Sequence, residues 1–266
     1  MNDHTFEEET IAIKQLSDVL LRHIIPIFAE APCRKPKLIG SSFLVSSGKD
    51  SYLVSAAHVF DELQNDHELF FYVEPKTKRK LSGNLRLAKI PEGKNRKEDR
   101  IDVGVLKLEG PGLPPYPKVE KYALPINALM AEALPRERKE YLLVGFPESQ
   151  SRVNPIARDV ASKPYSFRGI SIPSQKYDEL DINPKSHIVL SFDREHTIVG
   201  PDGQIYTFPE PSGISGSPVW LLYDEHGLND LSQTPIVGIA IEHHKTSHAI
   251  VATDISIALR LINEIA

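Results

Sequence analysis

Residues 35–60 read KPKLIGSSFLVSSGKDSYLVSAAHVF. Two runs rich in Ile, Leu, Val and Phe flank a Ser-Ser-Gly-Lys-Asp break, so the stretch reads as two β-strands joined by a tight turn. The pattern spreads in both directions. HIIPIFAEA (23–31) precedes it, and LFFYVEP (69–75), LRLAKI (85–90), DVGVLKLEG (102–110), EYLLVGFPE (140–148), SHIVLSFD (186–193), QIYTF (204–208), SPVWLLYD (217–224), PIVGIAIEHH (235–244) and SHAIVATDI (247–255) follow. So many short strands separated by Pro, Gly, Ser and Asp predict an all-β barrel or sandwich. An α/β fold would need helices of about ten residues or more between its strands.

Helical periodicity is confined to the ends. Apolar Ile11, Ile13, Leu16, Val19, Leu20 and Leu21, with charges between them, predict an amphipathic helix over about 6–22 that stops before Pro26. IALRLINEI predicts a short C-terminal helix over about 255–265. The segment PGLPPYPKVEKYALPINALMAEALPRERK (111–139) is proline-rich and then briefly helical, which suits a connection between two β halves. The expected order is an N-terminal helical extension over 1–22, a first barrel over about 23–120, a second over about 135–254, and the closing helix.

Composition narrows the function. A chain of 266 residues, 41% of them hydrophobic, can bury a continuous core. Its 31 Lys and Arg against 36 Asp and Glu leave a formal charge of -5, so nucleic acid is not an expected partner. The basic runs KTKRK (76–80) and GKNRKEDR (93–100) read as solvated loops between strands. Cys33 is the only cysteine, which excludes an internal disulfide and with it a bridge-stapled secreted fold. The acidic start MNDHTFEEETIAIK is unlike a secretory signal, and no window reaches about 18 apolar residues, so a cytoplasmic protein without membrane attachment is expected.

Three residues carry the chemistry. His58 follows the apolar strand in SAAHVF, Asp102 leads the strand in IDVGVLKLEG, and Ser215 lies in GISGSPVW, a small-residue turn feeding a core strand. Each alone has an ordinary structural explanation: a hydrogen-bonded histidine, a turn-forming aspartate, a Ser-Gly turn. Together they complete a set. A serine hydroxyl is a weak nucleophile that needs a base in reach, and the imidazole base needs a carboxylate to fix its tautomer and stabilise its charged form.

The order His, Asp, Ser and the sequence around each resemble the chymotrypsin-like serine proteases, in a bacterial, disulfide-free branch. SAAHV resembles the family's T/S-A-A-H motif, DVGVLKL its D-[IV]-[AG]-x-L motif, and GISGSPV its G-x-S-G-[GS]-P-[VL] motif. IIPIF, IGSSFLV, LLVGFP and PIVGIAI resemble further strands of the fold, so the likeness runs from about residue 23 to 266. It implies a double six-stranded antiparallel β-barrel with the N-terminal helix and a short C-terminal helix added. It also implies serine endopeptidase activity on protein or peptide substrates, with His58 and Asp102 on the first barrel, Ser215 as nucleophile, and the N–H groups of Gly213 and Ser215 as oxyanion hole. No metal and no cofactor are expected.

Departures from the pattern inform the rest. The family's Cys after the histidine is Val59, and its Asp before the serine is Ile214, so activation by a newly cut N-terminus pairing with that Asp is not available. Ser217 replaces a glycine of the serine motif. The pocket Asp of trypsin-like members is Pro209, and the histidine of glutamyl members is Ala240. Pro209, Glu210, Ile241, Glu242 and His243 remain as candidate substrate-pocket residues, and an acidic pocket from Glu210 or Glu242 would favour Lys or Arg at the cleaved position. Glu242, His243, His244 and His248 are metal-ligand types, yet adjacent strand histidines face opposite ways, so a hairpin tip or pocket wall is the preferred reading. The acidic N-terminal helix is a candidate docking element for a regulatory partner, with packing across a barrel as the alternative. A retained fold serving as a silent or latent binding module is the competing function. An α/β-hydrolase is excluded by the chain order, the incomplete G-x-S-x-G elbow and the lack of strand–helix alternation.

Overall fold

The computed structural model describes residues 15–30, 35–65, 67–74, 77–96, 100–109, 122–131, 136, 139–154, 159–173, 175–194, 198–199, 205–224, 227–228 and 234–266. Cys33, the first part of the expected N-terminal helix and most of the proline-rich connection lie outside them. Helix α1 is seen over residues 15–20. The strands of the first half are β1 (Ile24–Glu30), β2 (Lys37–Ser47), β3 (Asp50–Ala56), β4 (Glu68–Glu74), β5 (Thr77–Lys80), β6 (Gly83–Leu87), β7 (Val103–Leu108) and β8 (Leu124–Pro125), with helix α2 (Ala57–Asp61) after β3. The second half holds β9 (Glu140–Gly145), β10 (Ser151–Asn154), β11 (Asp159–Ser162), β12 (Tyr165–Ile170), helix α3 (Gln175–Glu179), β13 (His187–Ser191), β14 (Ile198–Val199), β15 (Ile205–Tyr206), β16 (Pro218–Asp224), β17 (Gly227–Leu228), β18 (Ile236–His244), β19 (Ala249–Asp254) and helix α4 (Ser256–Ile265).

Each half is built on one largely antiparallel sheet that curls on itself, and the second half carries the separate hairpins β10–β11 and β14–β15 besides. The first runs β5-β4-β1-β2-β3-β7-β6, with β8 added in parallel beside β2. Its edge strands β5 and β6 are consecutive in the chain. The two residues between them are held from both sides, Leu81 N–H donating to Leu69 O at 2.7 Å and Glu109 N–H to Ser82 O at 3.1 Å, so the chain itself closes the curl. The second sheet runs β12-β9-β16-β18-β19-β13 with β17 beside β16, and an antiparallel bridge between Ser171 and Leu190 brings its two ends together. Closure leaves few bare strand edges. The expected fold class stands, with eight and seven strands in place of six each because short pieces are added.

Three expectations are corrected. KTKRK is not a loop. Thr77–Lys80 is strand β5, and Lys78 sits over the Phe70 ring while pairing with Glu30 and Glu68, so charge supplies what apolar alternation lacks. Helices are not confined to the ends, because His58 lies within α2, directly behind β3. The hairpin β10–β11 and strand β12 add ladders that the apolar pattern did not announce.

The halves share an interior. Phe28, Phe43 and Val54 of the first sheet lie in one apolar cluster with Leu142, Val144, Trp220 and Ile239 of the second. Leu16 and Leu20 of α1 and Ala258, Leu261, Ile262 and Ile265 of α4 belong to the same cluster, so both terminal helices pack on the body. The described part of the connection is stitched to both sheets as well, β8 pairing with β2 and Leu129 bridging Ile236. No helix among the described residues is long and apolar enough to cross a membrane.

Candidate active site

Strand β3 ends at Ala56 and the chain turns at once into α2, which sets His58 on the first turn of a short helix anchored by buried Ala57, Val59 and Phe60. Asp102 immediately precedes β7, the neighbour of β3, so pairing of the two strands delivers the carboxylate to the imidazole. Ala57 N–H donates to Asp102 O at 2.9 Å. The carboxylate then receives His58 twice: the backbone N–H on Oδ1 at 2.9 Å and the ring Nδ1 against Oδ2 at 2.5 Å. That bond fixes the tautomer, leaving Nε2 free of the carboxylate. The His58 side chain is 41% exposed and that of Asp102 9%, so the pair is open on its imidazole side.

Burial works against the charged imidazole, but the hydrogen bond and charge of Asp102, with the charge of Asp61, more than offset it, and the His58 pKa is raised above the usual 6.5. Arg96, which pairs with Asp61 at 2.8 Å, opposes the rise. A raised value means that the pairing stabilises the fold fully at low pH and is lost as pH rises through the elevated pKa. The His58 ring protons are expected to titrate above 6.5 by NMR. Asp61→Asn removes one favourable charge while leaving the opposing charge of Arg96, so it should move that midpoint down; an unchanged midpoint would mean that Asp61 has no influence.

Ser215 belongs to the turn that leads into β16. The turn is pinned between the sheets by Ser41, a fully buried residue of β2. Ser41 N–H donates to Ser215 O at 2.8 Å, Ser41 Oγ donates to Gly213 O at 3.0 Å, and the same oxygen accepts the Phe146 N–H at 2.9 Å. Ser55 Oγ in turn donates to Ser41 O at 2.7 Å. Gly216 is pressed so closely on this anchor that a Cβ would stand 2.0 Å from Ser41 O and 3.0 Å from Ala56 N, two residues before His58. Ser217 Oγ is buried with no partner among the described residues, and it occupies the space that a side chain at Gly145 would fill.

Two peptide planes of this turn are fixed by hydrogen bonds on their carbonyl side. Glu148 N–H donates to Ser212 O at 2.7 Å and Ser217 N–H to Ile214 O at 2.9 Å. A trans peptide sets its N–H opposite its C=O, so the N–H groups of Gly213 and Ser215 face away from Glu148 N and Ser217 N respectively. Among the described hydrogen bonds neither has an acceptor. Gly213 has φ +92°, and a Cβ there would meet Leu38 at 2.6 Å and the Phe146 carbonyl at 2.9 Å, so the position admits glycine alone.

The serine hydroxyl itself donates to the Ile241 carbonyl at 3.3 Å. Among the described hydrogen bonds none joins it to His58. The structure therefore brings His58 and Asp102 into contact and places Ser215 against the same barrel, with its hydroxyl turned to β18. Of the pocket candidates, Ile241 contributes that carbonyl. Pro209 is half-buried beside Glu210, whose carboxylate lies between Lys245 at 2.6 Å and Arg194 at 2.9 Å. The Lys245 hydrogen bond leads in holding its pKa below the usual carboxylate value. Glu242 is likewise engaged by Arg100 at 3.2 Å and His244 at 3.1 Å. Both acidic candidates are thus neutralised by cations of the protein. His243 packs edge-on against Phe192, its pKa lowered chiefly by burial, while His244 turns to Glu242; the two histidines diverge.

Sequence reasoning passed over Ser41 and Ser55. The signal available was a polar residue in the middle of an otherwise apolar strand, Ser41 in IGSSFLV, whose partners lie far away in the chain.

No protein-family model matches the sequence, and no curated protein matches it. Among solved structures the chain is similar to neuropsin, a serine protease expressed in the limbic system of mouse brain, with a TM-score of 0.54 and 12% identity over 91% of this chain and 93% of that one. The likeness, spanning both curled sheets, establishes that the chain has the chymotrypsin-like serine-protease fold.

Proposed function

We propose that the protein is a serine endopeptidase. Ser215 attacks the scissile carbonyl, His58 takes its proton and returns it to the leaving amine, Asp102 orients His58, and the N–H groups of Gly213 and Ser215 receive the oxyanion. The observation that carries the reading is the two-point hold of Asp102 on His58, beside a turn in which the N–H groups of Gly213 and Ser215 have no acceptor among the described hydrogen bonds. Substrates are proteins or peptides, met in the cytoplasm, and the N-terminal helix offers a regulatory partner a surface. No metal or organic cofactor enters the scheme.

One observation favours a second reading. The Ser215 hydroxyl bonded to Ile241 O suits a latent state, in which a partner or substrate must swing the side chain toward His58. A fluorophosphonate probe separates the two. Wild type is expected to be labelled and Ser215→Ala not; an unlabelled wild type that becomes reactive only with a partner would establish latency, and one that never reacts would support a binding module.

A further inference from the structure

Asp102 has φ +37°, in the left-handed region that residues other than glycine enter rarely, so something must hold it there. A peptide plane is rigid, so φ and ψ of a residue are set once the planes on both sides of its Cα are set. The plane after Asp102 is held by the first barrel, through Ala57 N–H on Asp102 O. The plane before it is held by the second barrel. Thr253 of β19, fully buried, donates its hydroxyl to Ile101 O at 2.6 Å, and one residue earlier the His187 ring Nε2 bonds Arg100 O.

Thr253 and His187 are direct cross-strand partners in the β19–β13 ladder, so their side chains leave the sheet on the same face. They arrive as a pair at consecutive carbonyls. His187 is 1% exposed, and its other nitrogen, Nδ1, lies 3.0 Å from both Ser186 Oγ and Asn183 O, which orients the ring. Behind it, Arg136 donates to His187 O at 3.0 Å and pairs with buried Asp254, so the backbone carrying the histidine is itself clamped. Arg100 O can only accept, so Nε2 carries the hydrogen of that bond, and the Ser186 hydroxyl can donate to Nδ1.

We infer that Thr253 and His187 are positioning residues: a cross-strand pair on the second barrel that sets the backbone of Asp102 on the first, and through it the orientation of His58. The dyad is thereby made dependent on the barrel that carries Ser215. The kinetic half of this inference rests on the peptidase reading; the spectroscopic half does not.

The test compares Thr253→Val, isosteric but without the hydroxyl, with Thr253→Ser, which keeps it. Thr253→Val is expected to lower the NMR titration midpoint of His58 toward the ordinary histidine value as the Asp102 hold loosens. Among the groups around His58, the charges of Asp61 and Arg96 are untouched. In peptide hydrolysis kcat should fall about ten- to a hundredfold with KM nearly constant, the usual result of misplacing a reacting group slightly. Thr253→Ser should match wild type in both. An unchanged midpoint and kcat in Thr253→Val would overturn the inference, as would a Thr253→Ser that falls equally far, since packing would then be the cause. If Thr253→Val does not fold, His187→Leu against His187→Gln, which retains a donor near the Nε2 position, gives the same comparison. A wild type that never reacts with the fluorophosphonate probe, with or without a partner, refutes the peptidase reading while the His58 titration still decides this one.

Discussion

The His58→Ala variant is expected to cleave peptides on the order of 10⁴–10⁶-fold more slowly than wild type, with binding little changed. The imidazole acts twice, as base for Ser215 and as acid for the leaving amine, and no other described group stands ready to replace it. His67 is engaged by Glu62 at 2.7 Å and His187 by Arg100 O. Because the three side chains work as one unit, Ser215→Ala/His58→Ala should be about as slow as either single variant. A measured product of the two losses would show that His58 and Ser215 act independently, and the mechanism would fail. The residual rate reports on the N–H groups of Gly213 and Ser215, which neither substitution touches.

Gly216→Ala is expected to have the largest effect on folding. Its φ of +88° disfavours any side chain, and the new Cβ would fall 2.0 Å from Ser41 O and 2.1 Å from Ser55 Oγ, with the Ala56 N–H beyond. Two of these neighbours are backbone atoms of paired strands, which cannot yield as a flexible side chain would. Relief requires the Ser215 turn to lift from β2, breaking the Ser41 bonds to Ser215 O and Gly213 O. Loss of two buried hydrogen bonds together with strain amounts to about 4 kcal/mol, or a fall in Tm of about 10 °C for a chain of this size. Thermal unfolding followed by circular dichroism measures it; a Tm within a degree or two of wild type would mean that the turn is not pinned as described.

Most strands were legible because apolar residues alternate with turn-forming ones, and the three motifs were legible because each is local. What escaped notice shares a physical reason. Strand β5 is Thr-Lys-Arg-Lys, held by the ions around Lys78 rather than by an apolar face. Helix α2 starts without a side-chain cap, so no sequence signal marks it. Ser41 reaches Gly213 across 172 positions and Thr253 reaches Ile101 across 152, and neither pairing leaves a trace in local pattern. The acidic pocket inferred from Glu210 and Glu242 had the same weakness: carboxylates are visible in the sequence, but Lys245, Arg194 and Arg100 become their neighbours only through the fold.

The apolar cluster common to both sheets also governs when the chain can fold. Phe28, Phe43 and Val105 of the first half share their interior with Trp220 and with Leu261 and Ile265 of α4, which the ribosome makes roughly 150 residues after β7. At ordinary elongation rates that gap is on the order of ten seconds. Until those residues are made, the interior of the first half lacks part of its apolar lining, and the charges along the β5 edge, with Lys78 and Lys80 flanking Glu68, disfavour pairing with a neighbouring chain.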